Sequence, residues 1–111
     1  MSQKNAIFVL TAIASGVIVG ERFIKADGSQ AGVGERTLGV AHYNAAAAEA
    51  VPVDVLGTTI VEAGAAVALD AQIESDASGR AITRVAGAIV GKALEAAGAA
   101  GEKIEVLLIA N

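Results

Sequence analysis

Valine and isoleucine together supply 23 of the 111 residues, against seven leucines and three aromatics. β-Branched side chains are stiff at χ1 and sit better on a pleated strand than in a helix. A chain with this bias folds as sheet. Its core is built from small and β-branched aliphatics, because 26 of its apolar residues are alanine. Such a core is thin, and a partner surface adds to its stability. The length fits one domain, which buries roughly two-thirds of the surface that the unfolded chain exposes.

The pattern along the chain agrees. Val51, Val53 and Val55 alternate with Pro52 and Asp54, the period of a strand with one buried face. Proline cannot donate to a ladder, so this strand sits at a sheet edge or begins near Pro52. Thr58–Val61 and Val67–Leu69 read as short strands, and Ile104, Val106 and Leu108 alternate again near the C-terminus. Asp76-Ala77-Ser78-Gly79, between Ile73–Ser75 and Arg80–Thr83, is a hairpin signal, and Ala26–Ser29 is a turn by composition. Two alanine-rich links, 44–50 and 93–100, have helical propensity but room for only one or two helical turns. The expected fold is mainly β: a small β-barrel or β-sandwich of short antiparallel strands, alternatives that share the same alternation.

An internal repeat supports this organisation. Gly39-Val40-Ala41, an alanine link, Glu49 and Val51-Pro52-Val53 parallel Gly91-Lys92-Ala93, a second small-residue link, Glu102 and Ile104-Glu105-Val106. The spacing is 52 residues at the glycines and 53 at the glutamates. Residues 16–111 therefore read as one β-rich domain with a repeat at 39–56 and 91–109, and residues 1–15 as an arm or first strand. The N-terminus also imitates a secretory signal. Asn5–Gly20 is uncharged and Ala12-Ile13-Ala14 resembles a cleavage site, but a single Lys4 precedes a stretch diluted by polar residues. It is too short for a spanning helix, so no membrane partner is expected. An exported β-sandwich binding module with a cleaved signal is the alternative reading.

Chemistry is sparse. Without cysteine there are no disulfides, thiolate metal sites or thiol nucleophiles, and one histidine excludes histidine clusters. Gly32-Val33-Gly34 lacks the third glycine of a dinucleotide loop, and Gly91-Lys92-Ala93 lacks the hydroxyl of a phosphate loop. No serine lies in a nucleophile elbow. Glu74 and Asp76, two apart, point to one face of a strand end and are the best candidate pair for calcium or acid–base work, set against a solvated hairpin mouth. His42 beside Tyr43 reads as a recognition pair or as a partly buried strand end. No catalytic residue, metal or cofactor is expected.

Eight basic and twelve acidic residues give a net charge of −4. No Lys or Arg occurs between Thr37 and Gly79, where six acids do, so a nucleic-acid partner is not expected. The acids read as a solvated face, or as a surface selecting a basic partner.

The order of these blocks, continued by Val61–Val67, Glu74–Ala81, Gly91–Ala97 and Ile104–Leu108, resembles the capsid cement or head-decoration proteins of tailed bacteriophages. The family was long catalogued as a domain of unknown function, and the resemblance covers about Val17 to Ile109. It implies a non-enzymatic virion protein, made in the host cytoplasm, that docks on the outside of a mature head. The implied partner is the major capsid protein, and the implied state a homo-oligomer, a trimer above others. No Pro-rich extended arm of the kind some decoration proteins carry is present. The expected contact residues are Ile7, Phe8, Val9 and Leu10, on a segment suited to adding a strand to a neighbour, with His42 and Tyr43.

Overall fold

The computed structural model describes residues 4–111. Eight strands form one sheet: β1 (Asn5–Ile13), β2 (Phe23–Ile24), β3 (Gly39–Ala41), β4 (Ala50–Glu62), β5 (Gln72–Ser75), β6 (Ala81–Thr83), β7 (Gly91–Ala93) and β8 (Lys103–Leu108). The hydrogen-bonded order is β2-β3-β4-β8-β7-β5-β6, with β1 attached to β4. All strand pairs are antiparallel. The two ends of this path nearly meet. The Phe23 N–H donates to the Gly79 carbonyl (2.7 Å), that of Gly64 to Ala81 (2.8 Å) and that of Glu62 to Glu21 (2.9 Å). The molecule is thus a nearly closed antiparallel β-barrel, which resolves barrel against sandwich.

An ion-pair network ties the seam. Arg22 donates from Nε and Nη2 to the two Glu62 oxygens (3.2 and 3.3 Å). Arg80 and Lys103 lie 3.8 Å from the same carboxylate, and Arg80 also pairs with Asp76 at 3.1 Å.

β4 is the organising strand. Asp54 is the Cα partner of both Val9 and Val40, and Thr58 of both Asn5 and Leu107. β1 therefore runs along one edge of β4, while β3 and then β8 take the other. The separate strand expected at Thr58–Val61 is the second half of this 13-residue strand. Gly57 lets the strand bend without ending: its φ is 95°, and a Cβ there would sit 2.7 Å from the Ile7 nitrogen. Pro52 is tolerated inside β4 because its ring nitrogen faces the edge that β3 has already left. There its carbonyl accepts the His42 N–H at 3.0 Å.

Among the described residues there is no helix, so the expected helical turns in the alanine-rich links are absent. Those links are too short to pay for nucleation, and their backbone groups have other partners. Ala45 exchanges both hydrogen bonds with Ile18, and Ala97 does the same with Val67. The strand read at Val67–Leu69 likewise reduces to that single bridge.

These contacts reveal two structurally matching halves. Ala14 N–H donates to the Glu49 carbonyl as Ala63 does to Glu102, and Glu21 N–H to Ala41 as Asp70 does to Ala93. Glu21 and Asp70 share a left-handed backbone. The glutamates act alike too: Glu49 Oε1 accepts from Ala46 N–H (2.7 Å), Glu102 Oε1 from Gly98 N–H (3.0 Å). The core divides accordingly. Ala14, Ile18, Ile24, Ala41, Ala45, Val51 and Val53 form one buried cluster. Ala63, Val67, Ile73, Ala93, Ala97, Ile104 and Val106 occupy the matching positions of a second, larger one, to which Phe23, Val61 and Val90 add.

Candidate functional site

β1 forms strand pairs with β4 alone, through Asn5↔Thr58 to Ile13↔Ala50, with irregularities around Ile7 and Phe8. Its outer edge pairs with no strand among the described residues. Side chains that share a cross-strand pair point to one side of the sheet. Leu10 and Ala12 thus follow Val53 and Val51 toward the core, and are half-buried. Phe8, Val9 and Ile13 lie with Leu56, Asp54 and Ala50 on the outer side. Ile7 is 82% exposed, and Phe8, Val9, Ile13 and Leu56 are exposed as well. A neutral, apolar strand with a free edge is what natural sheets usually guard against.

The two groups of residues singled out in the sequence meet at a third that it did not reveal. His42 follows β3, and its Nε2 is hydrogen-bonded to Asp54 Oδ1. Thr59 Oγ1 donates to Asp54 Oδ2 (2.6 Å), and Lys4 Nζ pairs with the same oxygen at 3.2 Å. Asp54 is completely buried, and it joins β1, the β3 end and β4. Burial pushes its carboxyl up, but the hydrogen bonds from Thr59, His42 and Lys4 outweigh that and hold it below the ordinary 3.8. Tyr43 sets its ring edge-on to His42 (centroids 5.7 Å apart) and remains 65% exposed. The pair is therefore half structural: His42 is committed to Asp54, while Tyr43 faces solvent. Strict alternation would place Asp54 on the wet face of its strand. No local signal shows that β1 and His42 close over it.

The carboxylates considered for metal or acid–base chemistry do not converge. Glu74 is buried, and its Oε1 accepts the consecutive backbone N–H groups of Val85, Ala86 and Gly87 at 2.5, 3.2 and 3.1 Å. These bonds, led by that of Val85, hold its carboxyl below the ordinary 4.5. Asp76 instead closes the β5–β6 turn, accepting from the N–H groups of Ser78 and Arg80 at 2.8 Å each. Both fix loops. Among the described residues no group of three or more His, Asp or Glu is placed to hold a metal, and no pocket is present. What the outer face of β1, with Leu56, offers is contact area and a row of backbone donors and acceptors.

Comparisons with known proteins bear on the same question. A family model described as phage cement protein matches residues 2–108. Among solved structures, the base of the head fiber gp8.5 of bacteriophage phi29 is similar, with a TM-score of 0.76 at 18% identity. The match covers 92% of this chain and 93% of that one. At that identity the likeness is one of fold. No curated protein matches the sequence.

Proposed function

The chain belongs to the phage cement protein family, a family of structural phage proteins, and we propose that it binds the outer surface of a mature phage head and stabilises the shell there. The observation that carries this reading is the family match across nearly the whole chain. The proposed partner is the major capsid protein, and the proposed unit a homotrimer acting without a cofactor and without catalysis. The protein is made in the host cytoplasm and ends in the virion.

The physical logic is that of a cement. A rigid barrel presented in many copies needs only a modest interface per copy, because binding to the assembled lattice stabilises that lattice by mass action. The exposed strand β1 supports a contact surface made by Ile7, Phe8 and Val9, while Leu10, expected among them, turns toward the core and is half-buried. Tyr43, exposed beyond β3 on the other edge of β4, is proposed as a separate contact, with His42 held inward by Asp54. Main-chain groups on the outer edge of β1 add a second mode of attachment, the addition of a strand.

Co-sedimentation with mature, undecorated heads tests the proposal. Saturable binding at a fixed ratio to the major capsid protein, with decorated heads surviving heating that opens bare ones, is the expected result. A folded sample that stays in the supernatant at every concentration overturns it.

A further inference from the structure

We infer that β1 is an exchangeable strand, able to leave the edge of its own β4 and occupy the same edge of β4 in a second copy of this chain. Any contact that one element makes within a chain can be made between identical chains, provided the element can detach without wrecking what remains. Three features of β1 meet that condition.

First, the barrel closes without it. The path from β2 to β6 and the seam hydrogen bonds involve no residue of β1. In the adjacent core cluster β1 itself places only the half-buried Ala12, and the buried Ala14 lies beyond its end. Second, the chain is pinned immediately after the strand. Ala14 N–H donates to Glu49 (2.9 Å), Ser15 N–H to Gly28 (3.1 Å), and Ala14 accepts from Ala48 (2.7 Å). Swinging β1 outward from Ile13 therefore leaves residues 14 onward in place. Third, the site it vacates keeps its shape. Besides the ladder, β1 is fastened by Lys4 on Asp54 and by the Asn5 N–H on Thr58 Oγ1 (3.1 Å). When it leaves, Asp54 keeps His42 and Thr59, so the buried carboxylate is not orphaned and waits for a lysine from either copy.

The occupant is identified by complementarity already displayed. The strand that fits β4 from Ala50 to Thr58 is β1, with its own register and its own lysine. Every copy carries an identical one.

The chain has no cysteine, which makes the test clean. Thr11 and Pro52 are Cα partners on the outer side of the ribbon. The variant carrying both Thr11→Cys and Pro52→Cys reports folding by closing a disulfide within one chain. Next, Thr11→Cys protein and isotope-labelled Pro52→Cys protein are mixed, incubated reduced and then oxidised. Exchange yields a disulfide between the two different chains, identified by peptide mass, at a yield that rises with protein concentration. If the double variant closes within single chains while the mixture forms no 11–52 bond, the inference is overturned. Should Pro52→Cys disturb β4, the half-exposed partners Phe8 and Leu56, each changed to cysteine, repeat the test. No head is present in the assay, so it succeeds or fails independently of head binding.

Discussion

β1 and the second half of β4, Thr58–Glu62, play the same part in the two matching halves of the barrel. Each runs antiparallel to the strand that closes its half: Val9–Ile13 on Asp54–Ala50, and Thr58–Glu62 on Leu107–Lys103. Each leads into the same buried alanine, Ala14 or Ala63, followed by the same paired bridge. Yet Thr59 and Val61 are fully buried, whereas their counterparts Leu10 and Ala12 are only half-buried, and β1 also leaves Val9 and Ile13 exposed where Thr58 and Glu62 are half-buried. The difference is that β4 belongs to the closed path and β1 is laid against its outside. Similar aliphatic sequence thus gives an integral strand in one place and an appendage in the other.

That contrast makes graded predictions. The largest effect falls on the residue that fastens the appendage to the barrel. Asp54→Ala leaves Lys4, His42 and Thr59 without their shared acceptor and is expected to cost about 3 kcal/mol, near the low end for breaking a buried pair. Denaturant melts check it. Val61→Ala removes two buried methyl groups and should cost about 2 kcal/mol, lowering the midpoint by roughly ten degrees. Ile7→Ser, on the exposed strand, should change stability by less than about 0.5 kcal/mol. A cost for Ile7→Ser equal to that of Val61→Ala would break the comparison. Hydrogen exchange sharpens it: the amides of Thr59 and Val61 should be protected on the order of a thousandfold more than those on the outer edge of β1.

Acid should act through the two buried carboxyls whose values are depressed. Asp54 and Glu74 both have folded-state values below the ordinary 3.8 and 4.5, so the unfolded chain binds protons first. Their stabilisation is complete above those ordinary values and is lost as pH falls through the lowered ones. Thermal melts from neutral pH down through 4.5 should show stability falling, and Glu74→Gln should flatten part of that slope. The same substitution weakens three backbone hydrogen bonds and is expected to cost about 1–2 kcal/mol at neutral pH.

Much of the fold was legible in the residues. The alternation at Val51–Val55 and Ile104–Leu108 and the Asp76–Gly79 turn mark features that β4, β8 and the β5–β6 hairpin display. Local propensity misled at the alanine links, where long-range bridges to Ile18 and Val67 supply the hydrogen bonds that a helical turn would have made. It also split β4 in two, since a glycine at position 57 reads as a break, and only its close approach to Ile7 shows it to be a bend. The exposed apolar character of Ile7, Phe8 and Val9 was visible as an uncharged stretch. Asp54 was not, because its burial depends on β1, His42 and Thr59, which converge only through the sheet.

The central claim is that this cement-family barrel meets a phage head through its exposed N-terminal strand. The direct measurement is co-sedimentation with mature heads of the full chain and of a variant with Ile7→Ser, Phe8→Ser and Val9→Thr. The account predicts saturable binding by the unaltered protein and loss of binding by a variant whose folding, followed by thermal melting, is unchanged. Equal binding by both would contradict it.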